Sequence, residues 1–166
     1  MYRKTKNLEI MTNKIGLNND DCIELSSQLN SLLSNYQVLY MNVRGFHWNI
    51  KGSNFFELHV KFEEIYNNLQ LKIDEIAERI LTLGSTPVHS YSDYLTHSDV
   101  KESTNISDGK QAMAEVMNSY EVIIARQRAV LAKSAEANDE GTNALMSDYI
   151  REQEKQMWMY SAYLNK

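Results

Sequence analysis

Apolar residues recur every three or four positions through most of the chain, and this spacing predicts four long helices. The predicted helices span about residues 21–48, 54–83, 108–136 and 141–164, with the third starting at Ser107 or Asp108. The apolar stripe of the first consists of Leu25, Leu29, Leu32, Tyr36, Leu39 and Val43. We expect Asp20 or Asp21 to cap its start.

The connection after the second predicted helix is unusually long. Asn54 and Glu57 resemble a capping box at the start of that helix, and Gly84 is a suitable stop. Residues 85–106 are rich in Ser, Thr, Asp and His and contain the single proline, Pro87. They predict a crossover with a short helix near 91–97. The fold class is therefore all-α, an antiparallel four-helix bundle with a long crossover between its second and third long helices.

Composition supports a single domain that we place at residues 20–166, after a flexible amino-terminal tail at 1–19. The chain has 166 residues, of which 43% are hydrophobic, enough for one compact core. No apolar run is long enough to span a bilayer, and the first residues do not begin a signal peptide. Cys22 is the only cysteine and cannot form an intrachain disulfide. We therefore expect a cytoplasmic protein.

The charge balance is acidic, with a formal net charge of −5. Sequence-independent nucleic-acid binding relies on Lys and Arg, and the only basic concentration near an end is Arg3, Lys4 and Lys6, with Lys14 nearby. A solvated tail is the favoured interpretation of these residues. Translation from Met11 would remove most of them. We expect DNA binding to be weak or absent.

Two histidines and three carboxylates lie among apolar residues in and before the second helix: His47, His59, Glu63, Asp74 and Glu78. Such groups are costly to bury unless they are paired or hold a metal, and imidazole with carboxylate suits iron or zinc. His59 and Glu63 share one helix face, as do Asp74 and Glu78. Fifteen residues separate the pairs, or about 22 Å at 1.5 Å per residue. One metal cannot reach both pairs on one straight helix.

Two arrangements satisfy this spacing. Either each chain has two weak sites, or two chains combine their halves. In the second arrangement, two copies of the helix run antiparallel across a two-fold axis near residues 68–69, so that His59 of one chain approaches Asp74 and Glu78 of the other. His47 would join from the end of the first helix, with Phe46 and Trp48 forming a wall of the pocket.

At these residues the chain resembles the Dps family, the DNA-binding proteins from starved cells, which are also called mini-ferritins. The resemblance is carried by residues 44–52 (RGFHWNIKG), 55–66 (FFELHVKFEEIY) and 74–84 (DEIAERILTLG). Looser similarity at 139–142 and 157–158 extends it over about residues 20–165.

The resemblance implies a ferritin-like, hollow, twelve-subunit shell that oxidises Fe(II), preferentially with hydrogen peroxide, and stores the ferric product, so protecting DNA from oxidative stress. The ferroxidase centre lies at the two-fold interface in this family. His47, His59 and Glu63 would come from one chain, and Asp74 and Glu78 from its neighbour. The family often has Asp where this chain has Glu63, and whether each site holds one iron or two stays open.

The resemblance also implies roles for residues outside the ligand set. Trp48 would quench one-electron intermediates, with Trp158 a weaker candidate. Glu63 and Glu64 would seed the mineral. Asp139 would line a three-fold pore, where an acidic funnel concentrates cations.

Three other functions compete with this one. Full ferritins and other di-iron carboxylate enzymes build their site from Glu-x-x-His pairs, and this chain contains none. A non-enzymatic, nucleoid-compacting shell would use the basic tail, but it leaves the ligand set unexplained. Zinc accepts the same ligands, so a structural zinc site is the third alternative, and redox turnover distinguishes it. His89 and His97 are expected to be plain surface residues.

Overall fold

A computed structural model describes residues 12–165 of the chain. Its helices are α1 (Asn19–Asn49), α2 (Phe55–Thr82), α3 (Tyr91–His97), α4 (Gly109–Glu136) and α5 (Glu140–Leu164). The four long helices form an all-α bundle, and the short α3 lies in the crossover between α2 and α4. The predicted helices are confirmed, including the short one. No helix in the described range could cross a membrane.

The predicted apolar stripes form the core of the bundle. All six stripe residues of α1 are fully buried, and Phe62, Leu69, Ile76 and Ile80 of α2 are equally inaccessible. Burying a side chain of this size contributes about 1.5–3 kcal/mol. Hydrophobic burial therefore supplies the main stabilisation along α1 and α2.

The helix starts differ in part from the prediction. Asn18 caps α1, because its side chain accepts hydrogen bonds from the backbone nitrogens of Asp20 and Asp21. The two aspartates predicted as caps lie in the first turn instead. The predicted capping box of α2 is absent: Asn54 makes no side-chain cap, and its Oδ1 accepts a bond from Ser53 instead.

The segment before α1 is held by side-chain hydrogen bonds. Asn13 Oδ1 accepts from the backbone nitrogens of Ile15 and Leu17 at 3.1 and 3.0 Å, and Asn13 Nδ2 donates to Cys22 Sγ. Residues 1–11, which include Met11 and the basic cluster, lie outside the described residues. The flexible tail therefore stays a prediction for them.

Two asparagines on α1 hold the crossover against the bundle through hydrogen bonds to its backbone. Asn35 is fully buried, and its Oδ1 accepts from the backbone nitrogens of Asp99 and Val100. Asn42 donates to the carbonyl of Lys101 and accepts from the nitrogen of Ser103. These amides satisfy loop backbone groups that helix α1 would otherwise bury without partners. The hydrophobic pattern gave no sign of this role.

A buried polar group replaces apolar packing at the centre of the bundle. Gln127 of α4 and Gln153 of α5 both donate to the hydroxyl of Tyr36 on α1, at 2.7 and 2.6 Å. All three side chains are fully buried. Gln127 is thus an interior residue of α4 although its side chain is polar.

Candidate metal centre

His47 and His59 form a reciprocal pair that links the end of α1 to the start of α2. The Nδ1 atom of His47 lies 2.7 Å from the carbonyl oxygen of His59, and Nδ1 of His59 lies 2.8 Å from the carbonyl oxygen of His47. The two rings stack with their centroids 3.7 Å apart. The close return predicted for the connection between these helices is therefore present.

This pairing fixes the tautomer of both rings. A carbonyl oxygen only accepts, so each Nδ1 must carry the proton, and each neutral ring keeps an unprotonated Nε2. Neither Nε2 has a hydrogen-bond partner within residues 12–165. Metal-binding histidines commonly donate their second nitrogen to a carbonyl in this way. The pair fits a divalent metal such as Fe(II).

Each histidine of the pair is in contact with one further aromatic ring. Phe55 stacks on His59 with centroids 5.1 Å apart, and Tyr66 meets His47 edge-on at 5.4 Å. His47 is only 9% exposed, whereas His59 is half-buried. Water therefore reaches the pair mainly from the His59 side.

The two predicted aromatic wall residues have different positions. Phe46 faces the core and packs against Phe62. Trp48 is 56% exposed and lies under the guanidinium of Arg44, with 4.9 Å from Cζ to the ring centroid. The ring contacts of the histidine pair do not include Trp48. Within one chain, the rings that contact the histidine pair are those of Phe55 and Tyr66, and the part of Trp48 in a pocket shared with a second chain stays a prediction.

The predicted carboxylate ligands are exposed along α2. Glu63, Asp74 and Glu78 all face solvent. Within residues 12–165 of a single chain, no three His, Cys, Asp or Glu side chains lie close enough to hold a metal together. Glu63 therefore forms no three-residue group with the histidine pair, and Asp74 and Glu78 form none of their own. One chain presents at most parts of a site.

The same helix exposes large apolar side chains beside these carboxylates. Phe56, Val60, Leu71 and Leu81 are each more than half exposed. A shallow depression lined by Asn67, Gln70, Leu71, Ile73 and Asp74 lies at the middle of the helix. Phe56 and Val60 lie one turn apart on this helix, and neighbouring exposed apolar side chains are typical of surfaces that contact another protein.

The carboxylate of Asp139 is buried and does not face solvent, as a pore-lining residue would. Its side chain is only 1% exposed and pairs with Arg79, with 2.5 Å between Oδ1 and Nη2. It also caps α5 by accepting from the nitrogen of Thr142, while Arg79 Nε donates to Thr142 Oγ1. Asp139 therefore joins α2 to α5, and the expectation that it lines an iron pore is corrected.

A second polar contact between α2 and α5 was not anticipated from the sequence. Lys72 is buried, donates to Glu152 at 2.6 Å and lies over the ring of Tyr149. Tyr149 in turn donates to Glu75. Burial, followed by this carboxylate, raises the pKa of Tyr149 well above its usual value. In the sequence, Lys72 comes three residues after Leu69 and so lies on the buried face of α2, which is the signal that could have revealed this contact.

Comparison with known proteins places the chain in a family. A family model described as "Ferritin-like domain" matches residues 26–166. The "DNA protection during starvation protein" of Porphyromonas gingivalis is 42% identical over 151 residues, covering 91% of this chain and 95% of that protein. The crystal structure of a Dps protein from Vibrio cholerae O1 matches with a TM-score of 0.91 and 56% identity, covering 92% of this chain and 96% of the other. That protein is described as a member of a broad superfamily of ferritin-like diiron-carboxylate proteins. The chain belongs to the Dps family of ferritin-like proteins.

Proposed function

We propose that the protein is a ferroxidase that oxidises Fe(II), preferentially with hydrogen peroxide, and stores the ferric product in a hollow shell of twelve chains. The observation that carries this proposal is the reciprocal pair of His47 and His59, which holds two Nε2 atoms free for a metal. The diiron-carboxylate description of the Vibrio cholerae relative supports iron as the metal. Protection of DNA from oxidative stress, in the cytoplasm, is the proposed purpose.

The proposed centre lies between two chains. The histidine pair of one chain meets Asp74 and Glu78 of its neighbour across a two-fold axis near residues 68–69. Exposed carboxylates, exposed apolar neighbours and the lack of a three-residue group within residues 12–165 of one chain all support this arrangement. Glu63 of the histidine-bearing chain is a further proposed ligand.

The ligand chemistry accounts for the reaction. Neutral imidazoles bind Fe(II), and carboxylates favour the ferric product through their charge. Two Fe(II) ions each give one electron, so that one hydrogen peroxide and two protons become two waters without release of hydroxyl radical. Asp74 and Glu78 bring the negative charge that the histidines lack.

The test is anaerobic loading with Fe(II) followed by a pulse of hydrogen peroxide, with ferric absorbance as the measure. We expect fast oxidation in the wild type and a rate close to that of buffer in the His47→Ala/His59→Ala variant. His89→Ala/His97→Ala is the matched control, because both of its histidines are exposed in the crossover. Equal rates in the wild type and the His47/His59 variant would refute the proposed site.

DNA binding by the shell is the second candidate function, and the name of the Porphyromonas gingivalis relative favours it. The net charge of −5 opposes it. We expect weak retardation of DNA at physiological salt, falling further as salt rises. Strong retardation by the full chain, lost when the chain starts at Met11, would show that the basic tail binds DNA.

A further inference from the structure

Two amide oxygens at the centre of the bundle have no protein partner. Gln127 and Gln153 are fully buried, and each donates through Nε2 to the Tyr36 hydroxyl, at 2.7 and 2.6 Å. The Oε1 atoms of the same two side chains accept no hydrogen bond from any protein group within residues 12–165. A buried acceptor without a donor costs the desolvation of that group, and folded proteins rarely leave one. We call Tyr36, Gln127 and Gln153 the central polar group.

The hydroxyl of Tyr36 has the opposite need. A phenol carries one proton and accepts at its oxygen, and in the described hydrogen bonds this hydroxyl takes part only as an acceptor. Burial raises the pKa of Tyr36, although the bond from Gln153 acts against it, so the hydroxyl keeps its proton. That buried proton therefore needs an acceptor, while the two amide oxygens need donors.

Turning the glutamines over does not remove this mismatch. If Gln127 were turned over, Tyr36 could donate to its Oε1, but its amide nitrogen would lose its acceptor and Gln153 Oε1 would stay unpaired. If both glutamines were turned over, a single hydroxyl proton would face two carbonyl oxygens. Each orientation leaves at least one buried polar atom unpaired. The central polar group thus needs a further partner that both accepts and donates.

Charge decides what kind of partner this is. All three side chains of the central polar group are neutral. The carboxylates whose charge acts on Tyr36 are those of Glu152 and Glu75, and both are engaged elsewhere. Glu152 accepts from Lys72, and Glu75 accepts from Tyr149. A buried cation without a counter-charge is costly, so the partner that fits is a small neutral molecule.

We propose that the central polar group binds one water molecule in the interior of the bundle. The water accepts the hydroxyl proton of Tyr36 and donates its two hydrogens to Oε1 of Gln127 and Oε1 of Gln153. It thus makes about three hydrogen bonds, as buried waters commonly do. The Tyr36 proton and both amide oxygens are then paired without any change in the bonds that the structure shows.

The proposed water site also distinguishes this bundle from those that hold metal between their own helices. Di-iron proteins of the ferritin-like type direct glutamates and Glu-x-x-His pairs into the bundle core. Here α1, α4 and α5 direct a phenol and two neutral amides inward instead. We therefore expect the bundle centre to take water and to exclude divalent metals.

The experiment is a crystal structure of the full-length protein at about 1.2 Å resolution or better, where the orientation of each amide is observed directly. The crystals are soaked in Co(II), and anomalous scattering marks each metal ion. We expect a peak with the density of water and no anomalous signal, at about 2.5–3.0 Å from the Tyr36 oxygen and from both Oε1 atoms. The peak should disappear in Gln127→Met/Gln153→Met, which keeps the length of both side chains and removes both carbonyls. Gln111→Met alters an exposed side chain of α4 and should keep the peak, so it is the matched control.

Three results would overturn the inference. An anomalous peak between the two glutamines would assign the site to a metal ion. A wild-type map with no peak there, or one in which a reoriented glutamine meets another protein group, would show that protein atoms alone complete the network. A peak that persists undiminished in Gln127→Met/Gln153→Met would show that the carbonyls do not hold it. If that variant does not fold, the wild-type map decides alone, since the peak and its lack of anomalous signal are both expected there.

Discussion

Combining two inactive variants in one shell tests whether the candidate centre is shared between chains. The first variant is His47→Ala/His59→Ala, and the second is Asp74→Ala/Glu78→Ala. On α2, His59 and Asp74 are fifteen residues apart, about 22 Å along the helix axis. That separation is too large for one metal, so each variant should be inactive alone and each should lack a different half of the same site.

The expected recovery follows from two-fold symmetry. When the variants assemble at random from equal amounts, about half of the two-fold pairs contain one chain of each kind. In a mixed pair, the intact histidines of one chain face the intact carboxylates of the other at one site, while the second site lacks both halves. About one quarter of all sites should therefore be active. If the site were formed within one chain, the mixed shells would show no recovery of iron oxidation.

The assay is co-expression of the two variants followed by iron oxidation with hydrogen peroxide. Mass spectrometry of the purified shells gives the ratio of the chains, and the expected activity scales with the product of their two fractions. Mixing each variant with wild-type chains is the control for assembly. Mixed shells that contain both variants in near-equal amounts, yet oxidise iron no faster than either variant alone, would refute the shared centre.

Three further predictions concern stability and are measured by urea denaturation. Gly141→Ala should lower the free energy of unfolding by about 1–3 kcal/mol, because the new Cβ would lie 2.7 Å from Nη1 of Arg79, which the ion pair with Asp139 holds in place. Gly45→Ala, where no atom lies within 4 Å of the new Cβ, is the control. Equal losses of stability in both variants would contradict the explanation. Tyr36→Phe should lower the free energy of unfolding by about 1–3 kcal/mol, since it leaves the buried amides of Gln127 and Gln153 without their acceptor. An unchanged urea midpoint would mean that these amides find other partners. Burial is the main cause of the raised pKa of both Tyr36 and Tyr149. At a pH where these two hydroxyls already ionise in the unfolded chain, they therefore stay protonated in the folded chain. Their contribution to stability is complete below about pH 10 and should decline as pH rises above it, and equal stability at about pH 9 and 11 would contradict this.

The helices were predictable because their signal is local. Apolar spacing identified the interior face of α1 from Leu25 to Val43, and every residue of that stripe is buried. Stop signals were also reliable: Gly84 has a φ of +94°, which glycine adopts readily, and it follows the end of α2. Caps were less predictable, since several polar residues precede α1 and backbone geometry selects among them. Asn18 was selected over its aspartate neighbours for this reason.

For the candidate centre, the sequence predicted the ligand types and the proximity of the two histidines, but not their contacts. The sequence identified His47 and His59 as neighbours, because a short connection returns the chain beside itself. It did not reveal that each ring donates to the other's carbonyl, since that contact depends on the exact approach of α1 and α2. Tyr66 was equally hidden, because a ring seven residues after His59 gives no indication that it contacts His47.

The sequence by itself determined the helical bundle, its long crossover and the residue types available for a metal, since periodicity and side-chain chemistry act over a few neighbouring positions. Only the tertiary structure decided which polar residues are interior supports and which are free to react. Asp139 illustrates the difference: as an acidic residue it suits a cation pathway, yet Arg79, sixty positions earlier, holds it in a buried ion pair. A carboxylate takes the role set by the charges that folding brings within hydrogen-bond distance, and those charges come from distant parts of the chain.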